Sequence, residues 1–127
     1  MDVYLSRQAL LQMEALAVIS DEGEGILLGH KQGQRCFVEN ILPAQGVFSA
    51  VPERLRRLQD LLQDSFLGFF SLDSKEVKIG AVMGPASVGK VFLDIHSRPE
   101  KKPSFSASVI EYDGTFRLLP VKINKSG

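Results

Sequence analysis

The stretch from Ser65 to Ser74, SFLGFFSLDS, constrains this chain more than any other. Phe66, Leu67, Phe69, Phe70 and Leu72 leave almost no polar position before Asp73. An apolar run of strand length without alternation is expected where both faces of the strand are covered. Gly68 interrupts it, and a glycine inside a strand marks a bulge or the close approach of another backbone. The run ends abruptly in small and acidic residues. That ending reads either as an ordinary turn after a core strand or as the edge of a site.

The chain has 127 residues, 44% of them hydrophobic, with 15 basic and 15 acidic side chains. A chain of this length buries roughly two thirds of its unfolded surface, so a single globular domain over residues 1–127 is expected to fold without staples. The cancelling charges provide no long-range field toward nucleic acid or an anionic membrane. Cys36 is the lone cysteine and no apolar run approaches membrane-spanning length. With no charged-then-apolar leader either, the expected location is the cytoplasm.

In chain order, Leu5 to about Ile19 reads as a helix with Ser6 as N-cap. Leu10, Met13, Leu16 and Ala17 form its buried stripe, and Gln8, Gln12 and Glu14 face out. Asp21 to Gly25 reads as a turn, Ile26–Gly29 as a short strand, and Lys31–Gln34 as a hairpin turn. The next strand, Arg35–Leu42, alternates, with Cys36, Val38 and Asn40 on one face and Phe37, Glu39 and Ile41 on the other. Pro43–Ala50 is a loop. Pro52 opens a second helix whose apolar stripe is Leu55, Leu58, Leu61 and Leu62. Arg54, Arg56 and Arg57 are interleaved with Glu53, Asp60 and Asp64, the pattern of a solvated face. After the Ser65 strand, Val77–Met83 fits a strand or a helical turn. Lys90–His96, Phe105–Tyr112 and Phe116–Ile123 read as strands, with Asp113-Gly114 as a hairpin turn and Pro120 confining the last strand to an edge. The expected class is α+β, a mixed, largely antiparallel sheet flanked by two main helices.

Two local patterns suggest chemistry. Gly84-Pro-Ala-Ser-Val-Gly89-Lys90 has the spacing of a phosphate-binding loop. Val91 stands where the magnesium-binding hydroxyl belongs, however, and a strand follows in place of a helix. Nucleotide binding therefore ranks below a plain glycine-bounded loop. His30 and His96 are the two histidines, neither at a chelating offset from the other. His96 and Asp94 lie on one face of a strand and could share a metal, whereas a catalytic zinc site wants three protein ligands and an open position. Cys36 reads as a small buried hydrophobe.

The order of elements carries a third pattern. An amphipathic helix, Glu22-x-x-Gly25-Ile-Leu-Leu-Gly29, the strand RCFVENILP, a leucine-rich helix and a strand containing Gly68-Phe69-Phe70 together resemble the JAB/MPN domain, the family of JAMM metalloproteases. The resemblance implies an MPN-like domain with cytidine-deaminase-like layering. Glu22 would stand at the general-base position, and Gly68, Phe69 and Phe70 would match a glycine and two aromatics. Ser71 and Asp73 then fall where the two histidine ligands belong, and Gly84 falls on the aspartate. A metal-free, non-catalytic member is therefore implied, acting as an interaction or scaffold module with a protein partner as homodimer or heterodimer, and with no cofactor. The alternative is a divergent zinc-dependent (iso)peptidase using displaced ligands such as Asp73, Asp94 and His96 with Glu22. Val47 and Phe48 are apolar residues in a loop of small residues. They could dock into a second chain or tuck into the domain's own core, the latter being slightly preferred.

Overall fold

The computed structural model describes residues 1–19, 23–73, 80, 82–98 and 101–125. Seven strands close into a barrel: β1 (Asp2–Leu5), β2 (Gly23–Gln32), β3 (Arg35–Pro43), β4 (Phe66–Leu72), β5 (Val91–Arg98), β6 (Lys101–Tyr112) and β7 (Phe116–Lys125). Their order around the barrel is β1-β3-β2-β4-β5-β6-β7. Two helices accompany them, α1 (Arg7–Ile19) and α2 (Pro52–Leu62). The expected α+β sheet flanked by helices is thus replaced by a closed mixed barrel.

The closure depends on β1. Its four residues pair in parallel with β3 on one side, Val3 opposite Cys36, and with β7 on the other, Val3 opposite Ile123. Val3 and Leu5 point into the barrel and are fully buried. A strand this short, joined to neighbours distant in sequence, carries no hairpin signal, and the sequence reads as the lead-in to a helix.

The barrel interior is filled by Val3, Leu5, Leu27, Val38, Leu67, Leu93 and Ile95, among others, and α1 adds Ala9 and Met13. Beyond Val38, β3 has β2 on one flank and no strand on the other, and α1 supplies the missing partners. Ser6 N–H donates to Val38 O and Ser6 Oγ to Glu39 O, while Ile41 N–H donates to Gln12 Oε1. Gln8 and Gln12 both donate to Asn40 Oδ1. Ser6 and Gln12 therefore satisfy a strand edge that would otherwise be left unpaired, while Gln8 bonds Asn40 and stays exposed as expected.

Two bulges reset the alternation. In β4 the pairing passes from Leu27↔Gly68 to Leu28↔Phe66, skipping Leu67. Leu67 and Phe70 then share the interior while Phe66 and Phe69 share the outside, and all seven residues of β4 are buried. In β3 the pairing passes from Leu28↔Asn40 to Gly29↔Val38, skipping Glu39. Ile41 thereby joins Cys36 and Val38 inside, not Phe37 and Glu39.

A second core lies on the outer face of β2, β4, β5 and β6. Ile26, Phe48, Phe66, Phe69, Val82 and Ile110 form it, with Leu55, Leu58 and Leu62 of α2 packed against them. Leu61 is left 68% exposed. Pro52 occupies the first turn of α2 as expected. Pro120 lies where β7 pairs with β6 alone, so its missing N–H costs no ladder bond.

Candidate functional site

Past the cover provided by α2, the outer face of the barrel changes from apolar to polar. Glu24 on β2 stands opposite Ser71 on β4, Ser71 opposite Asp94 on β5, and Asp94 opposite Ser106 on β6. Directly paired residues project to the same face, so these four side chains form a row across four strands. Glu24 and Ser71 are buried, and Glu24 Oε2 accepts the Phe48 N–H at 3.3 Å. The sequence reading passes over Glu24, which lies in a segment read as a turn. Its pairing with Ser71 is what places it.

The neighbouring row contains His96 and the end of β4. His96 Nε2 lies 3.5 Å from Asp94 Oδ2 and 3.4 Å from Ser106 Oγ. Both contacts fall on one ring nitrogen. A hydroxyl–imidazole–carboxylate relay needs the hydroxyl and the carboxylate on opposite nitrogens, so this grouping is an imidazole–carboxylate contact with a hydroxyl neighbour. Asp73 adopts the left-handed conformation at φ 48°, and its carboxylate accepts the Ser97 N–H at 2.9 Å and the Ser97 hydroxyl. Asp73 therefore fastens the end of β4 to β5. Among the described residues no three His, Cys, Asp or Glu side chains are grouped to hold a metal. Glu22 lies outside the described residues.

Gly84 precedes a single 3-10 turn, Pro85–Ser87. The N–H groups of this loop do not converge on a ligand position. Ser87 N–H donates to Gly84 O, Gly89 N–H to Ile110 O and Lys90 N–H to Ser87 O. Lys90 sends its side chain away from the loop to Phe66 O, at 2.7 Å.

Val47 and Phe48 are buried in a 3-10 turn. Phe48 packs on Phe69 and Phe92 with ring centroids 5.8 and 6.0 Å apart. Cys36 is also buried, and desolvation raises its thiol above the ordinary range, which keeps it protonated and unreactive.

Among the described residues the two most exposed apolar side chains, Val18 and Ile19, lie on α1, and Leu11 on the same helix is also exposed. Leu11 is 55% exposed, Val18 85% and Ile19 80%, and Ala15 between them is also exposed. Leu11, Ala15 and Val18 follow the i, i+4, i+7 spacing of one helix face. Since Ala9 and Met13 are buried on the opposite side, α1 is apolar on both faces.

No protein-family model matches the sequence, and no curated protein does. The fold does have solved counterparts. The solution structure of protein DSY2949 from Desulfitobacterium hafniense is similar with a TM-score of 0.63 over 98% of this chain and 92% of that chain, at 19% identity. A likeness at that identity concerns the fold. Together with the closed seven-stranded barrel it overturns the resemblance to the JAB/MPN domain, and with it the metalloprotease-like description. The patterns that carried the resemblance have a different physical origin here. Gly25, Gly29 and Gly68 sit where strands crowd, and a Cβ at any of them would meet a neighbouring strand's carbonyl oxygen within 2.2 Å. The run of phenylalanines fills two cores at once.

Proposed function

We propose that the protein is a non-catalytic interaction module of the cytoplasm that pairs with a second copy of itself through the outer face of α1. The observation that carries this reading is the stripe of Leu11, Ala15, Val18 and Ile19, exposed on a helix whose other face is already committed to the barrel. Contiguous exposed apolar surface on a folded domain marks an interaction site. A second copy fits for two reasons. The four residues of the stripe are uncharged, Arg7 and Glu14 beside them carry opposite charges, and the chain's net charge is zero, so two copies meet without net repulsion. A small residue, Ala15, stands at its centre with larger apolar residues on either side. Two such helices crossing about a twofold axis at Ala15 can approach closely, each copy offering the same patch.

The test is the mass of the full chain in solution by sedimentation equilibrium, alongside Val18→Asp. Val18 touches little of its own domain, so the substitution should leave the melting temperature unchanged. Self-pairing predicts a dimer in the wild type at about 100 µM or below and a monomer in the variant. A wild-type chain that stays monomeric at that concentration overturns the reading.

A further inference from the structure

We propose that the cavity between the β2–β3 hairpin, the end of α2 and the start of β5 binds a phosphate group of a small phosphorylated molecule, held by the ammonium groups of Lys31 and Lys90. The cavity encloses about 500 Å³ and is lined by Lys31, Gln59, Gln63, Asp64, Ser65 and Lys90, among others. Each lysine has three N–H donors, and among the described residues each has one acceptor. Lys31 Nζ donates to Gly89 O at 2.9 Å, and Lys90 Nζ to Phe66 O at 2.7 Å with the Phe66 ring centroid 4.6 Å away. No described carboxylate lies within ion-pair distance of either. His30, at the rim, is engaged by Glu39 at 2.5 Å. Two cations therefore face one cavity with most of their donors unspent, against the single opposing charge of the Asp64 carboxylate in the same lining.

Their proximity shows in Lys90. Burial first, and the positive charge of Lys31 second, lower its amine from 10.5 to about 8, with Asp64 and Cys36 acting in the opposite direction. An anion placed between the two lysines would relieve both costs. Phosphate fits better than carboxylate. A planar carboxylate is matched by the fork of an arginine, and this lining holds none, whereas lysine binds phosphate as a point charge. Because the cavity is larger than phosphate itself, the remainder of the ligand would lie toward the side chains of Gln63 and Ser65. The glycine-loop spacing of Gly84–Lys90 is thus misleading about the backbone, while its lysine does reach an anion-binding position from the other side.

The experiment titrates the full chain with inorganic phosphate, phenyl phosphate and benzoate. The lysine side-chain signals are followed by NMR, and Lys31→Met and Lys90→Met are run in parallel with a melting curve for each. The phosphates should shift the Lys90 signal and raise its titration point above about 8, with phenyl phosphate the tighter ligand. Losing one charged hydrogen-bond donor should weaken binding about tenfold or more. Lys31 is exposed, so Lys31→Met reads binding without disturbing the core even if Lys90→Met folds poorly. An unmoved Lys90 signal at about 10 mM phosphate, equal affinity in Lys31→Met, or benzoate binding as tightly as phenyl phosphate would each overturn the assignment.

Discussion

Phe48 shows how one side chain can carry a structural decision. Beyond its own backbone bonds and the buried Val47, its turn is held by the ring packed between Phe69 and Phe92 and by the N–H given to Glu24. At 3% exposure no partner chain can reach that ring. Phe48→Ala is therefore expected to cost about 3 to 5 kcal/mol of folding stability, read from urea denaturation. It should leave the mass of any dimer unchanged at temperatures where the variant stays folded. A small loss of stability with weakened association would reverse the assignment of Phe48 to the core. Gly68 makes a similar decision without a side chain. A Cβ there would lie 1.9 Å from Val91 O, so β4 and β5 can pair in register only because the position is bare.

At the scale of elements, α1 acts in place of a strand. It neither lies on the barrel as a simple cover nor leaves the β3 edge open, because Gln12 Oε1 takes the Ile41 N–H at 2.9 Å as a neighbouring backbone carbonyl would. Gln12→Leu keeps the volume and removes the acceptor. The orphaned N–H should cost about 1 to 3 kcal/mol, and in hydrogen exchange the Ile41 amide should lose protection while Leu27 and Leu93 keep theirs. Equal exchange at Ile41 in both proteins would mean that the helix does not cap the edge. The elements themselves are largely legible in the sequence. Composition and period locate α2, the doubly covered β4 and the hairpins, since each has a local cause, whereas the expected edge strand around Pro120 is instead paired with β6 and, from Lys122 on, with β1. The faces are less legible. A bulge at Glu39 or Leu67 flips every side chain beyond it, and only the glycine opposite or beside each hints at it. Of the polar row, Ser71 and Asp94 are visible as residues, while Glu24 joins them only through strand pairing. The Lys31–Lys90 cavity is less visible still. It unites a hairpin, a helix end and a strand start that no spacing connects.

For the whole molecule the decisive element is the shortest one. β1 contributes four residues, yet it is the single bridge between β3 and β7, and those two strands have no direct pairing with each other. Without it the sheet would be open, with Arg35–Val38 and Lys122–Lys125 as bare edges and the interior side chains of Cys36, Val38 and Ile123 exposed at the seam. Val3→Pro tests this directly. Val3 is fully buried between Cys36 and Ile123, and a proline inside a paired strand removes a ladder hydrogen bond and crowds its neighbour. The orphaned ladder partner should cost about 1 to 3 kcal/mol, and the spatial pattern of the loss matters more than its size. Amide protection should fall first at Cys36 and at Lys122–Lys125, the two flanks of β1, while the β5–β6 pairing stays protected. The exposed edges should also make the variant prone to associate edge to edge. This would appear as concentration-dependent scattering that Val18→Asp does not suppress, because it uses strand edges and not the face of α1. If protection falls evenly over all seven strands, closure is inseparable from folding, and β1 forms part of the cooperative core. If the β7 flank stays protected, a contact other than β1 holds the barrel shut.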